Sequence, residues 1–162
     1  MSAGVITVME NIPFCNIRID KDGVWYYKGA EMFRREIVNF FYQNLRQDES
    51  GRYLIELPND RCYLEVEDAP FVVKSVHRTV SETDSRAAIH LLLSDDTVEP
   101  LDPETLRIGN DNVLYCSIKN EAFDARFLRA SYYQLADDIE YDESRNDFFI
   151  RLNGHRYFIK HK

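Results

Sequence analysis

The sequence predicts an α+β fold in which two related hairpin–helix–hairpin units, with mainly antiparallel sheets, flank a central extra hairpin. Three observations support this fold. Short segments alternate apolar and polar residues as half-buried strands do, two longer segments have the period of an amphipathic helix, and the same order of segments occurs twice. The predicted parts are a first repeat unit at 13–69, a central hairpin and connection at 70–105, and a second repeat unit at 106–162.

Two hairpins frame the first unit. Residues 16–28 form the first, because Asp22-Gly23 separates two strand-like runs and glycine accepts a positive φ without steric cost. Residues 52–66 form the second, with Pro58-Asn59-Asp60 at its turn.

Between these hairpins, residues 31–46 have the period of a helix. Four apolar residues recur at every fourth position: Phe33, Ile37, Phe41 and Leu45. This spacing predicts an amphipathic helix with that face packed on a core, and Val38 and Phe40 widen the face.

The central hairpin is predicted at residues 70–80 and 87–93, with a polar loop between them. If the loop is centred between Thr83 and Asp84, His77 pairs with His90 across the strands. Two facing imidazoles form a weak candidate for a metal site or a pH-sensitive couple. No third ligand can be placed, and a slip of one residue would separate the pair.

The second unit retraces the first. Residues 106–119 match the first hairpin at an offset of 89 positions, and the closing hairpin at 147–160, with Asn153-Gly154 as its turn, matches the second at an offset of 95. Residues 121–136 are predicted as the second helix, matching the first at an offset of 90 through residues four apart: Phe123, Phe127, Ser131 and Leu135. The alternative is that any α+β chain reuses hairpins.

Composition limits the classes of function. The chain of 162 residues has 28 acidic and 20 basic side chains, a net charge of −8, which disfavours general binding to nucleic acid or to an anionic membrane surface. No window approaches the roughly 18 unbroken apolar residues of a membrane span, and residues 1–12 lack the basic start of a secretion signal. The predicted compartment is the cytoplasm.

The three cysteines, Cys15, Cys62 and Cys116, are far apart and form no Cys-x-x-Cys pair. They show no metal-ligand spacing with the four histidines. We expect inert thiols in a reducing compartment.

Clustered carboxylates are the first candidate site. Glu65 and Glu67 share one face of a predicted strand, and Asp68 lies at its exit, so the three could serve as acid and base or bind a hard cation. The alternative is that Asp68 accepts backbone hydrogen bonds at a corner fixed by Ala69-Pro70.

The remaining candidates each have a simpler explanation. Trp25 could form an aromatic wall for a ligand, although a lone Trp in a hairpin belongs more often to the core. Arg126 and Arg129, three apart on the predicted second helix, could clamp an anion, although ion pairs with the chain's own carboxylates explain them as well. Asp20-Lys21-Asp22-Gly23 resembles the start of a calcium loop, but Trp25 stands where that loop needs glycine, so a hairpin turn is favoured.

Several motifs resemble the bacterial family of domain of unknown function 1285. They are the run from Arg18 to Tyr26 (RIDKDGVWY), the following Gly29, the helix, and Glu67-Asp68-Ala69-Pro70-Phe71, with looser likeness in the second half through Phe123 to Arg129 and Asn153-Gly154. After Gly29 the family tends to have a Pro-Ile stretch, where this chain has Ala30-Glu31-Met32, and its second hairpin turn differs as well. The resemblance implies an α+β fold of repeated motifs, in proteins without an established activity, for which ligand sensing or signalling is a suggestion.

The sequence leaves two hypotheses for function. The first is a non-enzymatic regulatory module that binds a small molecule or a protein, with a site between the two repeats built from Trp25, Glu67, Asp68, Arg126 and Arg129. The second is an unfamiliar hydrolase-type or metal-assisted enzyme using the clustered carboxylates. Neither a nucleophile elbow nor a glycine-rich nucleotide loop is found, so no catalytic residue and no cofactor is predicted.

Overall fold

The computed structural model describes residues 11–162, which divide into two compact units. The first unit comprises residues 11–20 and 24–66, and the second comprises residues 21–23 and 67–162. Both consist mainly of strands with one short α-helix each, so the predicted α+β class is confirmed. No helix among these residues is long and apolar enough to cross a membrane.

The first unit is a six-stranded sheet with one helix. In chain order its elements are β1 (Phe14–Ile19), β2 (Trp25–Tyr27), β3 (Ala30–Glu31), α1 (Arg35–Gln43), β4 (Leu45–Gln47), β5 (Tyr53–Leu57) and β6 (Asp60–Val66). The strand order in the sheet is β3-β2-β1-β6-β5-β4. All neighbours are antiparallel except β1 and β6, which are parallel and join two antiparallel halves.

The second unit holds two sheets and one α-helix. Its elements are β7 (Phe71–Val80), β8 (Ala87–Leu93), β9 (Val98–Pro100), β10 (Arg107–Ile108), β11 (Leu114–Ile118), β12 (Phe123–Phe127), α2 (Arg129–Ala136), β13 (Ile139–Asp142), β14 (Asp147–Leu152), β15 (His155–Phe158) and β16 (Lys160–His161). The larger sheet has the order β16-β10-β11-β12-β7-β8-β9, and the smaller has the order β13-β14-β15.

The pairing of strands repeats in the two units. Arg18 of β1 pairs with Tyr26 of β2, and Arg107 of β10 pairs with Tyr115 of β11. β1 also pairs in parallel with β6, as β10 does with β16. These correspondences follow the predicted offsets of 89 and 95 positions, so the repeated order of segments reflects repeated strand pairing. The three predicted part boundaries stay a prediction.

The turns predicted for the first and the closing hairpin are present, and their glycine and asparagine residues have positive φ. Gly23 adopts φ +82° at the turn of the first hairpin, and Asn153 and Gly154 both have positive φ in the closing hairpin. Asp20 accepts a hydrogen bond from the Val24 backbone N–H at 2.9 Å, as a hairpin turn predicts.

The first helix was predicted too long and with the wrong buried face. Ala30–Glu31 is not helical because it pairs with β2 as β3, and Leu45 opens β4. The buried residues of α1 are Val38 and Tyr42, whereas Phe33 is 77% exposed and Ile37 is 36% exposed.

The second helix begins eight residues later than predicted. Lys119, Asn120 and Glu121 all have positive φ and form a turn, and the following residues are strand β12. The buried residues of α2 are Ser131 and Leu135, which lie 93 positions after Val38 and Tyr42. The predicted offset of 90 for the helices is therefore wrong, because the strand between turn and helix is longer in the second unit.

The register of the central hairpin is confirmed, since His77 pairs with His90 across β7 and β8. The His90 Nε2 atom lies 3.0 Å from the Thr79 hydroxyl. Among residues 11–162, no three His, Cys, Asp or Glu side chains gather as metal ligands would. A two-histidine site therefore stays a prediction.

Candidate functional site

The cysteines were predicted to be free thiols, and for two of them this is wrong. Cys15 of β1 and Cys62 of β6 form a disulfide with a Cα–Cα distance of 5.1 Å. They are 47 positions apart in the chain, and only the parallel pairing of β1 with β6 brings them together. Cys116 is free and fully buried, and burial raises the pKa of its thiol.

A cavity of about 540 Å³ lies in the first unit, next to this disulfide. One wall comes from the sheet and consists of Cys15, Ile17, Tyr27, Ile55, Leu57 and Cys62. The opposite wall comes from α1 and the segment before it and consists of Met32, Phe33, Ile37 and Phe41. The volume falls in the range of small-molecule sites, about 300–1,000 Å³, which are concave and mostly apolar.

The helical wall explains why the predicted apolar stripe is not buried. Val38 and Tyr42 hold α1 to the core, while Ile37 and Phe41, one position earlier in each turn, line the cavity. The helix thus has two neighbouring apolar faces. The sequence signal is the density of apolar residues at positions 37–42, which exceeds what one buried face requires.

Three charged residues complete the lining: Arg34, Asp60 and Arg61. Arg34 forms a 3.0 Å ion pair with Glu36, but both side chains are more than two-thirds exposed, so this pair contributes little. The lining therefore carries two guanidinium groups and one carboxylate. This local excess of positive charge lies in a chain of net charge −8.

Trp25 packs against Phe41, one of the residues that line the cavity. It is 1% exposed, so it is a core residue of the first unit, as the simpler explanation predicted. Its ring stacks on Phe41 with centroids 6.2 Å apart and meets Tyr42 edge-on at 4.8 Å. The indole Nε1 is buried without a hydrogen-bond partner among the described residues.

The other predicted site residues lie in the second unit. Asp68 accepts hydrogen bonds from the Tyr115 hydroxyl at 2.7 Å and from the Arg126 guanidinium at 2.9 Å. These side-chain partners replace the backbone donors expected at the corner. Arg126 is on β12 and Arg129 opens α2, so the two do not share a helix flank, and a clamp built on that geometry is wrong.

In this cluster, Tyr115 and Arg126 both donate to the same carboxylate oxygen of Asp68. Burial and then the hydrogen bond to Asp68 raise the pKa of Tyr115 to about 12, because both disfavour the phenolate. Glu67 accepts a 3.2 Å hydrogen bond from the Lys21 backbone N–H, and Glu65 is exposed on β6. The sequence did not predict Tyr115 as a hydrogen-bond partner of Asp68. The only signal was that Tyr115 matches Tyr26 at the repeat offset of 89 positions.

The comparisons with known proteins give a match to one domain family over part of the chain, and a similar fold. Residues 10–69 match the model described as domain of unknown function (DUF1285), N-terminal domain. No curated protein matches the sequence.

Two solved structures are similar. One is a DUF1285 family protein from Silicibacter pomeroyi DSS-3, with a TM-score of 0.74 and 21% identity, covering 94% of this chain and 85% of that one. The other is a DUF1285 family protein from Shewanella baltica OS155, with a TM-score of 0.58 and 20% identity, covering 75% of this chain and 90% of that one. At such identities they show the fold alone. The match of residues 10–69 to the N-terminal domain of DUF1285 agrees with the resemblance that the motifs of this segment implied.

Proposed function

We propose that this protein is a non-enzymatic regulatory binding module that holds a small amphipathic anion in the cavity of its first unit. The observation that carries the proposal is the cavity of about 540 Å³ beside a half-exposed apolar helix face. Leaving large apolar side chains exposed costs free energy, and contiguous apolar patches on soluble proteins often mark binding sites.

The apolar walls define the body of the ligand. Phe33, Ile37 and Phe41 on one side and Ile17 and Ile55 on the other offer contact to an alkyl chain or a ring. Burial of such a group gains roughly 25 cal/mol for each Å² removed from water. A small polar molecule would gain little here.

The charged lining defines the head group. A carboxylate matches the planar donors of a guanidinium and can accept two parallel hydrogen bonds from it. Arg34 and Arg61 are the candidates, since both line the cavity. The net charge of −8 disfavours a nucleic acid or an anionic membrane surface as partner, whereas a small anion needs only the local positive charge of the lining.

Decanoate is the test ligand, with decanol as its neutral counterpart. Trp25 is the single tryptophan of the chain and stacks on Phe41 in the cavity wall, so its fluorescence reports binding. We expect saturable binding of decanoate, with a Kd about tenfold below that of decanol. No saturable change with either compound, checked by calorimetry, would refute the proposal.

Two matched pairs of variants locate the site. Phe33→Glu places a charge in the cavity wall, whereas Phe40→Glu places the same charge on an exposed side chain of α1 outside the lining. Arg34→Gln removes a charge from the lining, whereas Arg35→Gln removes the neighbouring charge outside it. We expect only Phe33→Glu and Arg34→Gln to weaken decanoate binding. Equal effects within each pair would place the ligand elsewhere.

A further inference from the structure

We infer that the Cys15–Cys62 disulfide controls ligand affinity at the cavity of the first unit, with the oxidised form binding tightly and the reduced form weakly. This inference rests on the proposed function, since it concerns the regulation of the same site. Both cysteines line the cavity, and both are half-buried, within reach of a small reductant.

The disulfide lies at one end of an interruption in the sheet, with Cys15 inside the interruption and Cys62 one residue before its first pair. β1 and β6 pair at Phe14 with Tyr63 and next at Arg18 with Glu65, so four steps along β1 match only two along β6. Such a bulge leaves residues without ladder partners. Asn16, in the middle of the bulge, has φ +61°, and its carbonyl accepts a 2.8 Å hydrogen bond from the backbone N–H of Lys28, the residue after β2.

The covalent bond therefore joins β1 to β6 directly beside the stretch where their pairing is interrupted. The β1–β6 pair is the one junction between the two antiparallel halves of the first unit's sheet among the described residues. Ile17 lies on one half and Ile55 on the other, and both contact the cavity. Without the disulfide, the two halves of the wall are held together by the pairs at the ends of the interruption. A ligand that touches both halves then has to order them on binding, which lowers its affinity.

The redox step balances with a dithiol as reductant. A thiolate of the dithiol attacks one sulfur of the Cys15–Cys62 bond, which forms a mixed disulfide and releases the other cysteine as a thiolate. The second thiolate of the dithiol then attacks the dithiol's own sulfur in the mixed disulfide, which closes the dithiol into a disulfide and releases the cysteine that was first attacked. Two electrons and two protons pass to the protein, which then carries two thiols, while the dithiol becomes a disulfide. In the cytoplasm, the predicted compartment, reductants of this class keep thiols reduced, so oxidation would switch the site on.

The test measures decanoate affinity in both redox states. Calorimetry is performed on oxidised protein and on protein reduced with dithiothreitol, with far-UV circular dichroism to show that both are folded. We expect the Kd to rise at least about fivefold on reduction, while native thiol titration shows two additional thiols. Buried Cys116 remains a thiol in both states.

Two double variants remove the disulfide without a reductant. Cys15→Ser with Cys62→Ser mimics the reduced state, and Cys15→Val with Cys62→Ala keeps the wall apolar if the serine pair fails to fold. We expect the folded variant to bind as weakly as reduced protein and to be unaffected by dithiothreitol. Equal decanoate affinity in the oxidised, reduced and variant proteins would overturn the inference and leave the proposed function standing. Absence of binding to oxidised protein would instead remove the proposed function, and the inference with it.

Discussion

Helix α1 uses its apolar residues differently from helix α2. In α1, Val38 and Tyr42 are buried, but Ile37 and Phe41 face a cavity. In α2, Leu135 is fully buried and Ser131 donates a 2.6 Å hydrogen bond to the Val73 carbonyl of β7. The two helices occupy the same place in the order of elements, so the difference shows that a repeated architecture can pack its helix fully in one unit and leave a cavity beside it in the other.

The largest expected difference between the two helices is in the free energy of unfolding that is lost when one apolar side chain is shortened to alanine. Leu135→Ala removes a fully buried side chain and should lower the free energy of unfolding by about 2–5 kcal/mol. Ile37→Ala, on the cavity side of α1, should cost about 1 kcal/mol or less, because that side chain is already partly hydrated. Urea denaturation followed by circular dichroism measures both. Equal losses would mean that Ile37 packs as a core residue.

Removal of one hydroxyl compares two tyrosines at matching positions. Tyr115→Phe removes the donor to Asp68 at 2.7 Å and should cost about 1 kcal/mol, since Asp68 loses a partner in a partly buried cluster. Tyr26→Phe removes a weaker 3.2 Å bond to Asp20 and should cost less. The same denaturation assay ranks the two, and a larger loss at Tyr26 would contradict the comparison.

Titration at high pH checks the Tyr115 environment independently. Its pKa is raised from 10.0 to about 12, so its neutral form is favoured in the folded state. The corresponding stability is complete below about pH 10 and is lost as the pH rises through 12. Ultraviolet absorbance should show a tyrosine that ionises near pH 12 in native protein and is missing in Tyr115→Phe. Native ionisation of Tyr115 near pH 10 would contradict the structure.

The smallest expected difference between the two units is in how their stability falls at low pH, because a similar aspartate turn occurs in each. Asp48 and Asp142 each begin an Asp-Glu-Ser turn, and each accepts hydrogen bonds from the backbone N–H and hydroxyl of the Ser two positions later. These serine hydroxyls and the backbone donors lower both pKa values to about 2. A lowered pKa stabilises the fold above the unfolded value of 3.8, and this stability is lost as the pH falls toward 2.

Single Asn substitutions measure these contributions. Asp48→Asn and Asp142→Asn should each flatten the pH dependence of unfolding between about pH 4 and pH 2, by similar amounts. The control is Asp60→Asn, which changes an exposed carboxylate at the start of β6. A change confined to one of the two Asp-Glu-Ser turns would show that the repeat does not extend to the energetics of its loops.

Local patterns predicted most of the fold. Turn residues such as Asp22-Gly23 and Asn153-Gly154 specify their hairpins because few residues accept positive φ. The pairing of His77 with His90 followed from the symmetry of a hairpin about its loop. The helix boundaries were predicted wrongly, because the spacing of apolar residues alone does not show that Ala30–Glu31 pairs as a strand. It also does not show the turn from Lys119 to Glu121.

Parts of the candidate site could not be predicted, because they depend on contacts between distant segments. The parallel pairing of β1 with β6 joins Cys15 to Cys62, and no local pattern in the sequence marks a parallel pair. The ion pair of Asp68 with Arg126 spans 58 positions. The identical Asp-Glu-Ser tripeptides are a further sign of duplication in the sequence, one that the repeat prediction above did not use.

The parallel closure of each unit also constrains its synthesis. β1 gains its neighbour β6 only after the chain has reached Asp60, and β10 gains β16 only after Lys160. Until then, a nascent chain on the ribosome presents an open strand edge and, in the first unit, the bare apolar side chains of α1. Open strand edges and exposed apolar surface promote wrong association of growing chains, so we expect each half of this protein to be most prone to aggregation until its last strand is made.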